Sequence, residues 1–221
     1  MDVVFLGMNE AGQKVLEWLK DQEDVQIEAE ITEKEQLKRI KQIKPEIAIS
    51  AGFEHKVPEE IIEVPEKGIV NLHPSYLPFN RGSHPYIWPI VEKTVAGVSI
   101  HYMVPEIDEG PVIAKEKIDI RPDDTAKTLR DRLMNAQFEQ FKEFWPRIKE
   151  GIRAEKQQLE EGNVHYSKEL EELSEIDLNE RMKAGELIDR LRGLSFDGEN
   201  TAYFEKDGQR YYLDLNIHKA D

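Results

Sequence analysis

Asn71 and His73 stand two residues apart, directly after the apolar pair Ile69-Val70. On an extended segment that spacing turns an amide and an imidazole to the same side. Pro74 keeps His73 extended or in a turn. A carboxylate follows at Asp108, in Asp108-Glu109-Gly110, behind a strand-like run at 97–103. These three groups suit the transfer of an acyl group to an amine. Neutral imidazole, with an ordinary pKa of about 6.5, takes the proton that an attacking amine must lose. An amide N–H holds the oxyanion that develops, and a carboxylate bonded to the imidazole orients it and favours its charged form. The chain has no Cys, and nothing marks a serine as a nucleophile with its own base. Direct attack by a substrate amine fits these residues better than a covalent enzyme intermediate.

The stretch 68–85 begins as a strand and turns irregular at Pro74, Pro78, Asn80, Gly82 and Pro85. Open α/β sheets bind ligands at such strand ends. Upstream, residues 3–7 read as a buried strand, with Ala11, Val15, Leu16 and Leu19 at helical spacing behind it. Only Gly7 and Gly12 are present of a G-x-G-x-x-G pattern, which argues against a dinucleotide site. Residues 25–31 alternate as a second strand, and 33–44 form a charged amphipathic helix that Pro45 ends. Residues 47–49 give a third strand, leading into Ser50, Gly52 and Phe53. Helices at 58–62 and 86–95, strands at 97–103 and 111–120, and a long helix capped by Asp123-Asp124-Thr125 follow. The long helix carries Leu129, Leu133, Phe141, Phe144 and Ile148 near one face, with Pro146 expected to kink or break it. Strands alternating with helices predict an α/β domain over 1–150, its sheet parallel through the first four strands.

From about Gly151 the composition changes. There are extended signals at 163–167, an acidic run at 169–175, and a helix with Leu187, Ile188 and Leu191 ending at Gly193. Strands at 201–204 and 210–217, joined through Asp207-Gly208, then predict a small α+β appendage over 151–221 ending in a β-hairpin.

With 30 Lys and Arg against 45 Asp and Glu, the formal net charge is −15. A soluble globular chain follows from that balance, and a nucleic-acid backbone, which calls for a basic face, is not an expected partner. The basic run Lys38, Arg39, Lys41 and Lys44 shares its helix with Glu33 and Glu35 and reads as a solvated face. Zero Cys excludes disulfides and thiolate metal sites and is consistent with a reducing cytoplasm. No basic start precedes a long apolar run, and no stretch approaches the roughly 20 apolar residues of a membrane span. Neither a signal peptide nor membrane contact is expected. No His, Asp and Glu grouping has metal-ligand spacing. By position alone, His84 and His101 read as packing or hydrogen-bonding residues and Trp88 as core.

The pattern Asn71-x-His73-x-Ser75-x-Leu77-Pro78, then Arg81-Gly82, then Gly97 opening a strand and Asp108-x-Gly110, resembles the formyltransferase family that uses 10-formyltetrahydrofolate. The resemblance implies a Rossmann-like formyltransferase domain with Asn71, His73 and Asp108 as catalytic trio. It implies 10-formyltetrahydrofolate as co-substrate and no metal. It places folate contacts at Ser50, Gly52, Phe53 and Asp108, and substrate contacts at Tyr76, Arg81, His84 and Trp88. Tyr76, Asn80, His84-Pro85, Trp88 and 97–101, with 163–167, 176–178 and 187–192 in the tail, are similar to sugar N-formyltransferases. Those act on the amine of a nucleotide-linked sugar, so a cytoplasmic enzyme on a small-molecule amine is implied, its hairpin open to pairing in a homodimer.

There are departures from that pattern. The segment between the first helix and Ser50 is short by about one element, and Glu109 stands where Thr or Ala is commoner, with Pro111 after Gly110. The alternatives are methionyl-tRNA or glycinamide ribonucleotide as acceptor, water as acceptor in a formyl hydrolase, or a folate- or nucleotide-binding module without catalysis. Arg81-Gly82 with Pro85 differs from the Lys-Gly of the glycinamide branch, and the presence of all three trio residues argues against the module.

Overall fold

The computed structural model describes residues 1–7, 9–196 and 202–220. The chain opens with β1 (Asp2–Leu6), α1 (Glu10–Lys20) and β2 (Gln26–Ile31). A 3-10 turn at Lys34–Leu37, α2 (Lys38–Ile43), β3 (Ile47–Ala51), α3 (Glu59–Ile62) and β4 (Ile69–His73) follow. Next come β5 (Arg81–Gly82), α4 (Trp88–Val91), β6 (Gly97–Tyr102), β7 (Val112–Lys117) and α5 (Ala126–Lys149). The tail holds β8 (Val164–His165), α6 (Ser167–Ser174), α7 (Ala184–Gly193), β9 (Tyr203–Lys206) and β10 (Gln209–Tyr212).

Six strands form one sheet in the order β2-β1-β3-β4-β6-β7. The first four run parallel, as their order with intervening helices predicts, and β6 and β7 are antiparallel to their neighbours. Both faces are covered, so β1 is apolar and buried from Val3 to Leu6, after an exposed Asp2. Val3 and Phe5 pack with Val15, Leu16 and Leu19 of α1 and with Phe141, Trp145 and Ile148 of α5. Val4 and Leu6 face the other way, onto Leu37 of the 3-10 turn, Ile40 of α2 and Ile61 of α3. The β4 strand is thereby fixed between β3 and β6, hydrogen-bonded on both sides up to the residues that carry the site.

Several expected boundaries move. The helix at 33–44 divides into the 3-10 turn and α2, because Gln36 Oε1 turns back to accept from the Thr32 and Glu33 amides. Lys44 before Pro45 ends it in the left-handed region. At 58–62, Pro58 is the extended residue before α3 rather than part of its first turn. The helix at 86–95 shrinks to α4, with Pro89 near its start and Lys93 at φ 58° beyond its end. Pro146 does not break α5, which runs on to Lys149, and Trp145 rather than Phe144 is the buried aromatic there. Thr125 caps α5 by accepting from the Thr128 amide, as its sequence predicts.

The tail is docked on the sheet domain. The β8 strand pairs in parallel with β5, and Glu155 bridges antiparallel to Val112. Leu170, Ile176 and Leu194 share a core with Ile87 and Ala126. The acidic run is helical, as α6. The hairpin forms with Asp207 and Gly208 at φ 53° and 75° between β9 and β10, the two-residue geometry that matches strand twist. The second strand stops at Tyr212 instead of 217. Met8 and the expected strand start at Thr201 lie outside the described residues.

Candidate active site

The site grows from β4. Asn71 and His73 alternate onto one side of the strand, and the antiparallel register sets Asn71 opposite His101 and His73 opposite Ser99. Ser99 Oγ donates to Ser75 O at 2.7 Å and accepts the Leu77 amide at 3.1 Å, tying down the loop that leaves His73. Buried Asn80 continues it, donating to Val95 O and accepting from Thr94. The loop then enters β5, whose Gly82 has φ 86° and lies where a Cβ would sit 2.3 Å from His165 O.

Asp108 arrives from the turn between β6 and β7. Its Oδ2 accepts the Gly82 amide at 2.8 Å and lies 3.5 Å from His73 Nε2. Its Oδ1 lies 3.6 Å from His101 Nε2. The turn is tight: Asp108 has φ 53°, and a Cβ on Gly110 would fall 1.7 Å from Tyr102 O. Burial pushes the Asp108 carboxyl up, but the neighbouring histidines, the Gly82 N–H and Arg81 outweigh it and hold the group below the usual carboxylate range. Burial drives His101 down to about 4, against the opposing pull of Asp108. His101 is therefore neutral at pH 7. Nε2 of His73 is buried without a hydrogen-bond partner among the described residues.

These groups open into a cleft of about 550 Å³. Its lining includes Phe53, His55, Val57, Ile62, Met103 and Val104. It also includes His84, Tyr86, Arg130, Met134, Tyr166 and Ser167. His84 holds a left-handed backbone at φ 54°, its Nδ1 is buried without a partner among the described residues, and burial lowers its pKa against the pull of Glu54. Among the described residues no group of three or more His, Asp or Glu is placed to hold a metal ion. No described helix is long and apolar enough to cross a membrane.

The structure brings Asn71, His73 and Asp108 together, and sets Gly52, Phe53 and His84 along the cleft. Four other sequence-predicted contacts stand apart from its walls. Ser50 is fully buried inside β3. Arg81 turns to Glu109, Nη1 to Oε1 at 2.6 Å. The Tyr76 ring lies under Lys115 Nζ at 4.4 Å. Trp88 stacks on the His165 imidazole with centroids 3.9 Å apart and donates to Ser83 O. Arg81, Tyr76 and Trp88 are each held by a local partner, so direct substrate contact by the Tyr76 and Trp88 rings does not follow from this arrangement. Two residues that sequence reasoning gave no site role stand next to the trio. His101 is carried there by strand register, for which the alternation of Ser99 and His101 is the only local signal. Gln157 arrives from behind α5, and nothing in its own surroundings in sequence marks it.

The family pattern described as Formyl transferase matches residues 6–144, and the one described as N-formyltransferase dimerization C-terminal domain matches residues 169–219. The dTDP-4-amino-4,6-dideoxyglucose formyltransferase of Mycobacterium tuberculosis is 34% identical over 145 residues, covering 65% of this chain and 62% of that protein. The methionyl-tRNA formyltransferase of Bacillus subtilis is 32% identical over 163 residues, covering 73% of this chain and 50% of that protein. Both matches span less than two thirds of the relative's own length. Among solved structures, the formyltransferase PseJ from Anoxybacillus kamchatkensis, in complex with UDP-4,6-dideoxy-4-formamido-L-AltNAc and tetrahydrofolate, is similar at a TM-score of 0.67 and 29% identity. That likeness covers 78% of this chain and 89% of that one.

Proposed function

The chain belongs to the formyl transferase family, and from that premise we propose that it passes a formyl group from 10-formyltetrahydrofolate to the primary amine of a nucleotide-linked amino sugar. The observation that carries the reading is the meeting of Asn71, His73 and Asp108 at the floor of one cleft. The relative that acts on a dTDP-amino sugar, and the similar structure that holds a UDP-formamido sugar with tetrahydrofolate, support the acceptor class.

In this mechanism the neutral amine attacks the formyl carbon. One N–H of Asn71 is engaged by His101, at 3.1 Å, and the other remains to hold the developing oxyanion. His73 takes the amine proton at Nε2, the nitrogen without a hydrogen-bond partner, and the Asp108 carboxylate beside it stabilises the charge taken up. The new C–N bond to the acceptor persists, the bond from the formyl carbon to the folate nitrogen breaks, and the proton leaves with tetrahydrofolate. Phe53, His55, Val57 and Ile62 suit the flat folate ring, with Gly52 approaching through its backbone. His84 and Arg130, also on the cleft wall, suit the polar acceptor.

Residues 1–150 form the catalytic unit in this reading, and 151–221 the acceptor-side and self-association unit. Tyr211 and Tyr212 on the hairpin are exposed apolar surface for a second copy. The lack of Cys fits a cytoplasmic enzyme. Mass spectrometry of a panel of amine acceptors, incubated with the protein and 10-formyltetrahydrofolate, tests the function. Mass gain of one formyl group on an amino-sugar nucleotide is the expected result; release of formate alone would replace transfer with hydrolysis.

A further inference from the structure

The turn that carries Asp108 is held from three directions. Its carboxylate accepts the Gly82 amide at 2.8 Å, and the adjoining Glu109 pairs with Arg81 at 2.6 Å. The third tie comes from Gln157, 49 residues along the chain, whose Nε2 donates to Asp108 O at 2.8 Å and to Gly110 O at 2.7 Å. One carboxamide thus uses both its N–H groups to bracket the turn. Its own placement is set two residues earlier, where Val112 and Glu155 exchange backbone hydrogen bonds of 2.8 and 2.9 Å.

We propose that Gln157 is a positioning residue for formyl transfer: by clamping the carbonyls of Asp108 and Gly110 it holds the Asp108 carboxylate against His73. The proposal rests on the reading that Asp108 orients His73 during the reaction. Asp108 sits in the left-handed region, which a non-glycine residue occupies only when its surroundings hold it there. Without the amide, the peptide of Asp108 relaxes and its side chain swings with it. The Asp108–His73 contact is already 3.5 Å long, so little displacement is needed to lose it.

The test compares Gln157→Met, which keeps the length and removes both donors, with Gln157→Glu, Gln157→Asn, the neighbouring control Gln158→Met, and Asp108→Asn. Asn keeps an amide too short to span both carbonyls and serves the same comparison if the methionine variant folds poorly. The expected result is a fall in kcat of about 10- to 100-fold in the Gln157 variants, the range for a slightly misplaced catalytic group. KM for donor and acceptor stays within about threefold, and Tm drops by less than about 5 °C. Gln158→Met behaves as wild type. Wild-type kcat in Gln157→Met beside an inactive Asp108→Asn overturns the clamp and leaves the functional reading standing. If the wild type formylates no amine, that reading fails, and the clamp is judged by NMR of the imidazoles. The His73 signals must then move in Gln157→Met while those of exposed His218 stay put; unmoved His73 signals overturn it.

Discussion

The amide of Asn71 and the buried imidazole of His101 meet across two antiparallel strands, Nδ2 to Nε2 at 3.1 Å. His101 Nδ1 faces Tyr102 O at 2.9 Å, so Nδ1 carries the proton and Nε2 accepts from Asn71. The contact fixes which way the Asn71 amide is turned: nitrogen towards His101, with its second N–H left for the cleft. A neutral His101 is required for this, and burial keeps it so.

That neutrality predicts acid sensitivity in a defined window. An unfolded histidine takes up a proton near pH 6.5, whereas folded His101 does so only at about 4. The stabilisation is fully present above about 6.5 and is lost as pH falls through the folded value, a change on the order of 3 kcal/mol at most. Asp108 and His73 are the titratable groups that face His101, and the lowered Asp108 adds its own loss further down. Denaturant midpoints measured from pH 7.5 to 4 should fall below about 6.5, and His101→Phe should flatten that part of the curve. The same variant should lower turnover about tenfold or more, because Asn71 loses the partner that orients it. A midpoint that stays level between pH 7 and 4.5 would contradict the assignment.

The trio itself gives a second prediction. His73→Asn and Asp108→Asn should each lower turnover by roughly a hundredfold or more, as expected of a positioned acid–base group and its partner. Asn71→Ala should cost a comparable factor through its oxyanion contact. Circular dichroism should show all three folded, since each faces the cleft rather than the packed layers. Near wild-type turnover in folded His73→Asn would remove it as the base.

What the sequence shows of this site follows from where its information lies. Asn71 and His73 were legible because both sit on one strand, where a spacing of two settles their relation without any tertiary knowledge. Asp108 was legible through its place behind the strand-like run at 97–103 and through the Asp108-x-Gly110 pattern of the family that the chain resembles. His101 and Gln157 were not, because their roles depend on non-local placement. The β4–β6 register decides that His101 meets Asn71, and the Val112–Glu155 bridge decides that Gln157 meets Asp108. Tyr76, Arg81 and Trp88 show the converse: polar or aromatic residues near the motif, each taken by a local partner that sequence alone does not reveal. The first four strands and the Asp207-Gly208 hairpin were readable because burial on both faces and turn geometry leave strong local marks.

A third prediction concerns the donor. Phe53, Val57 and Ile62 on the cleft wall, and no metal-ligand cluster among the described residues, lead to the expectation of folate-dependent turnover that survives a chelator. Calorimetric titration with a stable tetrahydrofolate analogue should give saturable binding, weakened by Phe53→Ala through loss of ring contact. Turnover in excess chelator should match the untreated rate. Loss of activity that added divalent metal restores would show that the site uses an ion.

The last prediction separates a nucleotide sugar from an initiator tRNA as acceptor. The chain after residue 150 carries 10 Lys and Arg against 17 Asp and Glu, a net −7. A segment that grips tRNA is expected to be basic, because phosphate neutralisation supplies most of the non-specific affinity. One guanidinium does line the cleft. Arg130 lies over the Phe196 ring at 5.4 Å, Phe196 stacks on Tyr86 at 5.6 Å, and Arg130 makes no ion pair among the described residues. A single planar cation suits one diphosphate far better than the many phosphates of an RNA. Arg130→Gln should therefore raise KM for an amino-sugar nucleotide about tenfold while leaving kcat within about threefold, the mark of lost ground-state binding. Arg130→Lys should recover part of the loss. Competition assays with methionyl-tRNA in one tube and 3-amino and 4-amino nucleotide sugars in others complete the comparison. Efficient formylation of the tRNA, with salt-sensitive binding and no sugar product, would overturn the acceptor assignment while leaving Asn71, His73 and Asp108 in place.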